Sequence, residues 1–591
     1  MPSPRCVTDL LTPLVDTKDH FGKDVVPPLP LSLDRVMEGR LASSPNRLLD
    51  LPIEILAIIF HFIPADRETL ASLALVNTVC RQWARSYQFA SVHLDHSDMS
   101  LNMISLLSEE VQERLSNNGQ THKPSLGACI RQVLVSTRQA WVTYRHHITW
   151  DSKFLRKPKE DRKALEEEAA ELYYDRYLPA IVRIVQFGLP HLQSLDWEDF
   201  ITIPRSFFTS FTNSPIQHLK LRVAVEEEFE VVPPVGSTSW PLRSLDIEIG
   251  RSSTNKRGKL SPLFTSILQL CAPTLETLHL IDVGTGWDEP ESELVSFGSS
   301  LPLPKFPRLQ RLAVNPRTTL DKSVWQALLQ APLSTLDINT EQNETTSEFF
   351  QHLGCLRSLE TFVWEPDLYS QTRSLRFLQD NPQMTKFRIP RPISPQFLDT
   401  AVLPLLSRSF YQIKSLSLCW ADVFISESTI EEIGKLKSLE QLHLTAGRKI
   451  GWRRDWPIDH NVMQRHLSHL PCLKKLAFSR DSYLSTAPFS TIERYYEHRH
   501  PQSADFEEGE GYFLGYERLE DIWERAHRYR MLAEAKKYAA AIPTLEWLYF
   551  GQIPMSIERK PNGAKDVMAQ YHKRDECRTF LRKMFGSELG L

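Results

Sequence analysis

A short apolar pattern recurs along most of the chain, and it restricts the possible folds more than any other feature. Each copy is a hexamer with apolar residues at its first, fourth and sixth positions, such as LRSLDI, LETLHL and LEQLHL. The twelve copies have as central residues Leu195, Leu219, Leu245, Leu278, Leu312, Leu336, Phe362, Phe387, Leu416, Leu442, Leu476 and Leu548. Most successive central residues lie 24 to 34 positions apart. Self-similarity at such a period is the signature of a repeat protein.

The segments between the hexamers complete the repeat. The hexamers alternate apolar and polar residues at their ends, as half-buried strands do. Helix-like stretches lie before the next hexamer in several repeats, most clearly SPLFTSILQLCAPT, KSVWQALLQAP, ISESTIEEIGKLKS and HNVMQRHLSHLP. Strand, loop, helix, turn and strand in this order predict a right-handed βα solenoid, and therefore an α/β fold.

The strand residues that do not face the helices are expected to form an exposed sheet face, where repeat proteins bind partners. They lie between the last two apolar positions of each hexamer. These residues are Asp196, Lys220, Asp246, His279, Ala313, Asp337, Val363, Arg388, Ser417, His443, Ala477 and Tyr549. They are mostly polar, which is consistent with exposure.

A different pattern lies nearer the start of the chain, in RLLDLPIEILAIIFHFIPADRETLASLALVNTVCRQWARSYQF. Pro52 suits the first position of a helix, and Asp66 and Asn77 suit the caps of two more. Three short helices in roughly 40 residues cannot bury a large core. The segment has more apolar residues than can point inward, so it either packs on the rest of the chain or binds a partner.

This segment resembles the F-box. The resemblance is carried by Leu-Pro-x-Glu-Ile-Leu, then Ile-Phe, then Leu-Ala-Leu-Val-Asn-x-x-Cys-Arg-x-Trp, between Leu51 and Trp83. It implies binding to a Skp-type adaptor and, through that adaptor, to the cullin of an SCF-type ubiquitin ligase. The residues that would contact the adaptor are Leu51, Pro52, Ile55, Leu56, Ile59, Phe60, Val76, Cys80 and Trp83. With its repeats, the chain resembles F-box proteins with degenerate leucine-rich repeats, of the kind found in filamentous fungi.

The combined pattern predicts an N-terminal three-helix F-box followed by a leucine-rich-repeat-like solenoid. The expected parts are a disordered or mobile segment at 1–46, the F-box at 47–90, a linker and first degenerate repeats at 91–156, a helical insertion at 157–188, the solenoid at 189–479, an insertion with an acidic loop and a helix at 480–543, and the last repeat strand with a C-terminal cap at 544–591.

Composition argues against several other classes of protein. The formal net charge of -4 provides no general attraction to nucleic acid or anionic membranes. No apolar run reaches the roughly 18 residues of a membrane span. Eight scattered cysteines without a C-x-x-C motif predict free thiols in a reducing compartment, the cytoplasm or nucleus. Phosphate-binding loops, nucleophile elbows and complete metal-ligand sets are absent, so we expect no enzyme activity, metal or cofactor.

One loop, RKIGWRRDWP, suggests where a target protein binds, because arginine matches carboxylates or phosphates and tryptophan supplies contact area. The candidate target-binding residues are Arg388, Trp420, His443, Trp452, Arg453, Arg454, Trp456 and Tyr549. An acidic or phosphorylated segment would fit. The alternatives are a solvated loop with its tryptophans tucked against the repeats, or arginines occupied by the acidic loop Glu507 to Glu510 of the same chain.

These patterns together predict a non-catalytic substrate receptor. The F-box would hold the adaptor, and the solenoid would hold a target protein near the ubiquitin-charged enzyme, so that proximity raises the rate of transfer. The alternative is an adaptor-binding scaffold that acts without ubiquitin transfer.

Overall fold

The computed structural model describes residues 31–40, 51–52, 55–56, 58–59, 62, 67–119, 121–136, 158, 160–161, 164, 171–202, 205–224, 230–231, 233, 239–250, 261–282, 294–297, 303–314, 319–339, 354–365, 371–422, 424–450, 453–456, 458–478, 505–507, 516–551, 553–560, 563 and 565–569. The chain forms two compact units. The first consists mainly of residues 25–309 and 317–331, and the second mainly of residues 310–316 and 332–591.

In the first unit, parallel strands pair in the order of the sequence. They are β1 (Ser91–Leu94), β2 (Gln132–Val135), β3 (Ser194–Thr202), β4 (His218–Ala224), β5 (Ser244–Gly250) and β6 (Thr277–Asp282). Two short strands, β7 (Leu294–Val295) and β9 (Thr319–Leu320), form a separate parallel pair. The helices are Leu33–Val36, Arg67–Ala74, Thr78–Gln88, Asp98–Ser116, Leu178–Phe187, Arg205–Thr212, Ser261–Cys271 and Lys322–Leu329.

The second unit continues the same plan and ends differently. Its parallel strands are β8 (Arg311–Val314), β10 (Thr335–Asn339), β11 (Thr361–Glu365), β12 (Lys386–Arg388), β13 (Ser415–Cys419), β14 (Gln441–Thr445), β17 (Lys475–Phe478) and β18 (Trp547–Phe550). Antiparallel strands β19 (Ile553–Arg559) and β20 (Lys565–Ala569) follow β18. The helices are Gln371–Gln379, Pro395–Phe397, Leu403–Ser409, Glu427–Gly434, His460–Leu467 and Tyr516–Ala541. A small hairpin joins β15 (Arg448–Ile450) to β16 (Arg453–Asp455).

The strand register confirms the repeat. In the first unit the hexamer centres Leu195, Leu219, Leu245 and Leu278 lie directly opposite one another. The second unit aligns its own hexamer centres from Leu312 to Leu548 in the same way. These side chains are at most 2% exposed, so one line of apolar residues forms the centre of each unit. The pairing of β17 with β18 shows that the long insertion between them leaves the ladder intact.

The helices follow the expected capping chemistry. Asn77 caps Thr78–Gln88 by accepting a hydrogen bond of 2.8 Å from the Cys80 amide, as the sequence predicts. Asp321 caps Lys322–Leu329 through the Val324 amide at 2.9 Å. The helix predicted in the 480–543 insertion is present as Tyr516–Ala541.

Two expected boundaries differ from the structure. Residues 31–40 lie within the segment expected to be mobile, yet they contain the helix Leu33–Val36, whose Val36 is fully buried. A four-residue helix is not stable by itself, so its packing holds it in place. The helix Leu178–Phe187, expected as part of an insertion, lies between the paired strands β2 and β3 and buries Ile181 and Ile184. It is therefore the connecting helix of a repeat.

Candidate interaction surfaces

The sequence predicts three helices in residues 51–88, here called the three-helix segment, and the described residues include two of them, Arg67–Ala74 and Thr78–Gln88. The segment has a core that extends beyond the segment itself. Leu56, Leu70, Cys80 and Trp83 are buried in one cluster with Val36, Leu33, Met37 and Cys129. Of the residues predicted to contact an adaptor, Leu56, Cys80 and Trp83 are therefore core residues in this chain, only 2–5% exposed. Ile59 is half-buried, and Phe60 lies outside the described residues.

The remaining predicted adaptor residues lie at the surface. Leu51, Ile55 and Val76 are exposed by 37%, 43% and 62%, and Pro52 is also exposed. Three further apolar side chains of the same segment, which the sequence did not single out, are more exposed than Ile55: Ile58, Phe62 and Leu75. Exposed apolar side chains that are this frequent in one short segment make it a candidate interaction surface.

Residues 31–40 fix the three-helix segment to the first repeats. The Gln82 amide donates hydrogen bonds to the carbonyl oxygens of Val36 (2.9 Å) and Ser125 (2.6 Å). Glu38 forms an ion pair with Arg114 and accepts a hydrogen bond of 3.1 Å from the Ser125 amide. Burial acts to raise the pKa of Glu38, but the Ser125 amide and the Arg114 charge outweigh it, and the pKa is lowered. A charged carboxylate thus joins the two parts of this unit.

The strand face of the first unit carries charged residues that remain accessible. Asp196, Lys220 and Asp246 occupy equivalent positions on β3, β4 and β5, and His279 occupies that position on β6. Glu198, Arg222 and Glu248 lie two residues further along their strands. We call these seven residues the charged strand face. The six acidic and basic side chains are 19–35% exposed, whereas His279 is buried. The sequence signal for this face was alternating charge at matching hexamer positions.

Short contacts connect the charged strand face. Lys220 Nζ lies 3.4 Å from Asp196 Oδ2 and 3.2 Å from Glu198 Oε1. Arg222 Nε donates to Glu248 Oε2 at 2.7 Å, and His279 Nδ1 lies 2.8 Å from Asp246 Oδ1. Burial raises the pKa of Asp196 to about 6, although the charge of Lys220 acts in the opposite direction. Neighbouring carboxylates raise the pKa of Lys220 despite its burial.

The corresponding row of the second unit is buried, which corrects the expectation of an exposed face. Arg388 is 3% exposed, Ser417 2% and His443 6%. The Ser417 hydroxyl lies 2.8 Å from His443 Nδ1, and the Thr445 hydroxyl lies 3.3 Å from Nε2. Burial, reinforced by the Arg388 charge, lowers the pKa of His443 to about 3. The row also contains Ala313, Val363 and Ala477, which suit burial, and the acidic Asp337, which is 3% exposed.

Several predicted target-binding residues therefore serve as core. Trp420 is fully buried, and its Nε1 donates to Asp399 Oδ1 at 3.0 Å. Trp456 is 1% exposed and packs edge-on against Phe478, while Tyr549 is 5% exposed. These side chains, with those of Arg388 and His443, offer little area to a partner in this structure.

The basic loop is a β-hairpin in which Lys449 lies opposite Arg454 and Ile450 opposite Arg453. Trp452 lies outside the described residues.

The predicted acidic loop begins beside the helix Tyr516–Ala541. Asp505, just before the loop, pairs with Arg530 of that helix, and Glu507, the first residue of the loop, lies 3.4 Å from Arg525. The described acidic residues of this region are thus paired with arginines of that helix. The remaining residues of that loop, 508–510, lie outside the described part of the chain.

The described residues contain no group of three or more His, Cys, Asp or Glu side chains that could hold a metal ion. Every described helix is too short or too polar to cross a bilayer.

No family model matches the chain, and no curated protein matches it in sequence. Among solved structures, the chain is similar to that titled "Crystal structure of TLR13-ssRNA13 complex", with 14% identity and a TM-score of 0.20. The match covers 50% of this chain and 57% of that one, so the chain spans little more than half of its length. On its own hexamer pattern and strand register, the chain is a leucine-rich-repeat-like α/β protein.

Proposed function

We propose that the chain is the substrate-recognition subunit of an SCF-type ubiquitin ligase. The three-helix segment binds a Skp-type adaptor, and the repeat units bind a target protein. The observation that supports this function best is the exposed apolar set Leu51, Ile55, Ile58, Phe62, Leu75 and Val76, which coincides with the segment that resembles the F-box. Neighbouring helices and residues 31–40 hold that segment against the first repeats.

The role of the chain in transfer is positional. An adaptor held at one segment and a target held on the repeats raise the effective concentration of a target lysine near the ubiquitin thioester. The buried contacts of Glu38 and Gln82 serve this role, since an adaptor fixed relative to the first repeats is fixed relative to whatever those repeats bind.

The adaptor assignment is tested by changing Leu51→Ala and Pro52→Ala together. Both residues are exposed, so the fold should be retained. Truncation of apolar anchors in an interface costs about 2 kcal/mol or more, roughly thirtyfold in affinity. We expect capture of a purified Skp-type adaptor to fall by at least that factor. The matched control is Tyr411→Ala with Phe424→Ala, which removes exposed aromatic side chains elsewhere and should leave capture unchanged. Undiminished capture by the Leu51 and Pro52 variant would contradict the assignment.

The scaffold alternative is tested with the same proteins. A receptor should bring a cullin with the adaptor and support ubiquitin transfer to a bound protein in a reconstituted reaction. Capture of the adaptor without any cullin would favour the scaffold.

A further inference from the structure

The charged strand face of the first unit has more negative than positive charge. It contains the carboxylates of Asp196, Glu198, Asp246 and Glu248 and the fixed cations of Lys220 and Arg222. Lys220 is shared, since its Nζ lies within 3.4 Å of both Asp196 and Glu198. Arg222 is engaged by Glu248. The two cations cannot neutralise four carboxylates, so this face favours an additional positive charge.

The contacts of Asp196 show the same shortage of positive charge. Oδ2 of Asp196 faces Lys220, whereas Oδ1 is buried and accepts no hydrogen bond from the described residues. A buried acceptor without a donor is costly, and a charge-assisted hydrogen bond from an incoming ammonium or guanidinium would relieve that cost. The Asp196 side chain as a whole keeps 28% of its surface exposed, so a cationic group can approach the carboxylate, and a small rotation of the carboxylate would bring Oδ1 within reach.

The geometry of the face suits an extended segment. Carboxylates two residues apart on one strand are separated by about 6.6 Å, and adjacent strands by about 4.8 Å. Alternate side chains of an extended peptide have the same spacing of about 6.6 Å. Basic residues at alternate positions of a peptide that runs along the strands could therefore meet the Asp196 row and the Glu198 row together. Partial burial of these carboxylates strengthens each charge interaction relative to open water.

We propose that the charged strand face binds an extended basic segment, with lysine or arginine at alternate positions, of a protein partner. This inference rests on the proposed function only in regarding that partner as the ligase target. It differs from the acidic or phosphorylated target suggested by the sequence, because in the second unit the candidate residues Arg388, His443 and Tyr549 are buried, whereas the accessible row lies on β3 to β5.

The test uses the full chain and a fluorescently labelled peptide of alternating lysine and alanine. Its binding is measured by anisotropy beside that of an alternating glutamate and alanine peptide and of a phosphoserine peptide. We expect the basic peptide to bind, with an affinity that falls as salt rises. The combined change Asp196→Asn and Glu248→Gln should raise its Kd about tenfold. The control Glu109→Gln with Glu431→Gln removes the same charge from exposed helix positions and should leave Kd unchanged.

A second variant keeps the test decisive if the first one folds poorly. Arg222→Gln removes the cation that competes for Glu248, so the basic peptide should bind a few-fold more tightly. Preference for either acidic peptide, or a Kd that neither variant changes, would overturn the proposal. The Leu51→Ala and Pro52→Ala protein should bind the peptide normally. Loss of adaptor capture and loss of peptide binding are thus separate results.

Discussion

At the scale of single residues, the same repeat position acquires opposite properties in the two units. Asp196 and His443 both lie between the last two apolar residues of a hexamer. Burial disfavours the charged form of each, so it raises the pKa of the Asp196 carboxyl to about 6 and lowers that of the His443 imidazole to about 3. Asp196 stays partly accessible beside Lys220, whereas His443 is enclosed with Ser417 and Thr445. Local environment, and not the repeat position, decides their roles.

Asp196 should make stability fall as pH rises. Its folded pKa of about 6 lies above the ordinary value of 3.8, so the folded state binds the proton more tightly. The resulting cost is absent below about pH 4 and complete above about pH 6. Relative to the parent protein, Asp196→Asn should gain about 1–2 kcal/mol in the free energy of unfolding between pH 4 and pH 7, after allowance for partial exposure. Urea unfolding across this range would measure the difference.

Asp321→Asn provides the control for this prediction. Burial acts to raise the pKa of Asp321, but hydrogen bonds from Ser296, Ser323 and the Val324 amide outweigh it, and the pKa is lowered. Its contribution to stability is present above pH 3.8 and is lost only as pH falls below that value. The effect of Asp321→Asn should therefore be constant from pH 4 to pH 7. A constant effect of Asp196→Asn would contradict the assignment for Asp196.

At the scale of secondary structure elements, the antiparallel end of the second unit depends on one close approach. Gly551 lies between β18 and β19 with a φ of +54°, and a Cβ there would lie 2.5 Å from Met531 Sδ and 2.6 Å from His527 Cε1. His527 Nε2 lies 2.7 Å from the Gly551 carbonyl oxygen, and its ring stacks on Trp523 with centroids 4.7 Å apart. An alanine at 551 would therefore have to displace Met531 or His527 of the long helix Tyr516–Ala541.

A pair of alanine substitutions separates backbone strain from crowding. Gly563, between β19 and β20, also has a positive φ of +80°, but a Cβ there would meet nothing within 4 Å. Gly563→Ala should cost about 1–2 kcal/mol for the left-handed backbone alone. Gly551→Ala should cost about 1–3 kcal/mol more, because the added methyl overpacks a buried site. Chemical denaturation of both variants gives the comparison. Equal costs would mean that Met531 and His527 yield freely.

At the scale of the whole molecule, stability is distributed along the repeats. Each strand pairs with its neighbours in sequence order within a unit, and the aligned hexamer centres stack in one apolar line. Such proteins behave approximately as chains of nearest-neighbour contacts. A defect in one repeat should therefore spread to the adjacent strands and weaken with distance.

Leu416→Ala tests this behaviour. Leu416 is fully buried on β13, opposite Phe387 on β12 and Leu442 on β14. The substitution should cost about 2–5 kcal/mol, and amide hydrogen exchange should accelerate most in β12 to β14. Exchange in β3 to β6 should change little. The reciprocal variant Leu245→Ala, in β5, should give the reverse pattern. Uniform acceleration throughout the chain in both variants would instead show a single cooperative unit.

The local sequence determined the repeat. A leucine spacing of 24 to 34 residues, alternating strand ends and helix caps such as Asn77 act over short distances, so their consequences can be read without the fold. The register of the hexamer centres follows directly, because slipping a strand by one residue would turn its leucines away from the core. In the segment predicted to form three helices, the helix Thr78–Gln88 begins at its predicted cap Asn77, whereas the cap Asp66 lies outside the described residues.

Only the tertiary structure decided which residues of these elements are accessible. Arg388 and Lys220 hold the same hexamer position, yet one is buried and the other lies in a charged, half-open face. Cys80 and Trp83 likewise became core because Val36 and Cys129, distant in sequence, pack against them. A strand pattern specifies which two faces exist, but coverage of a face depends on segments that approach from elsewhere in the chain. Burial is therefore a sum over nonlocal contacts, which no local periodicity encodes.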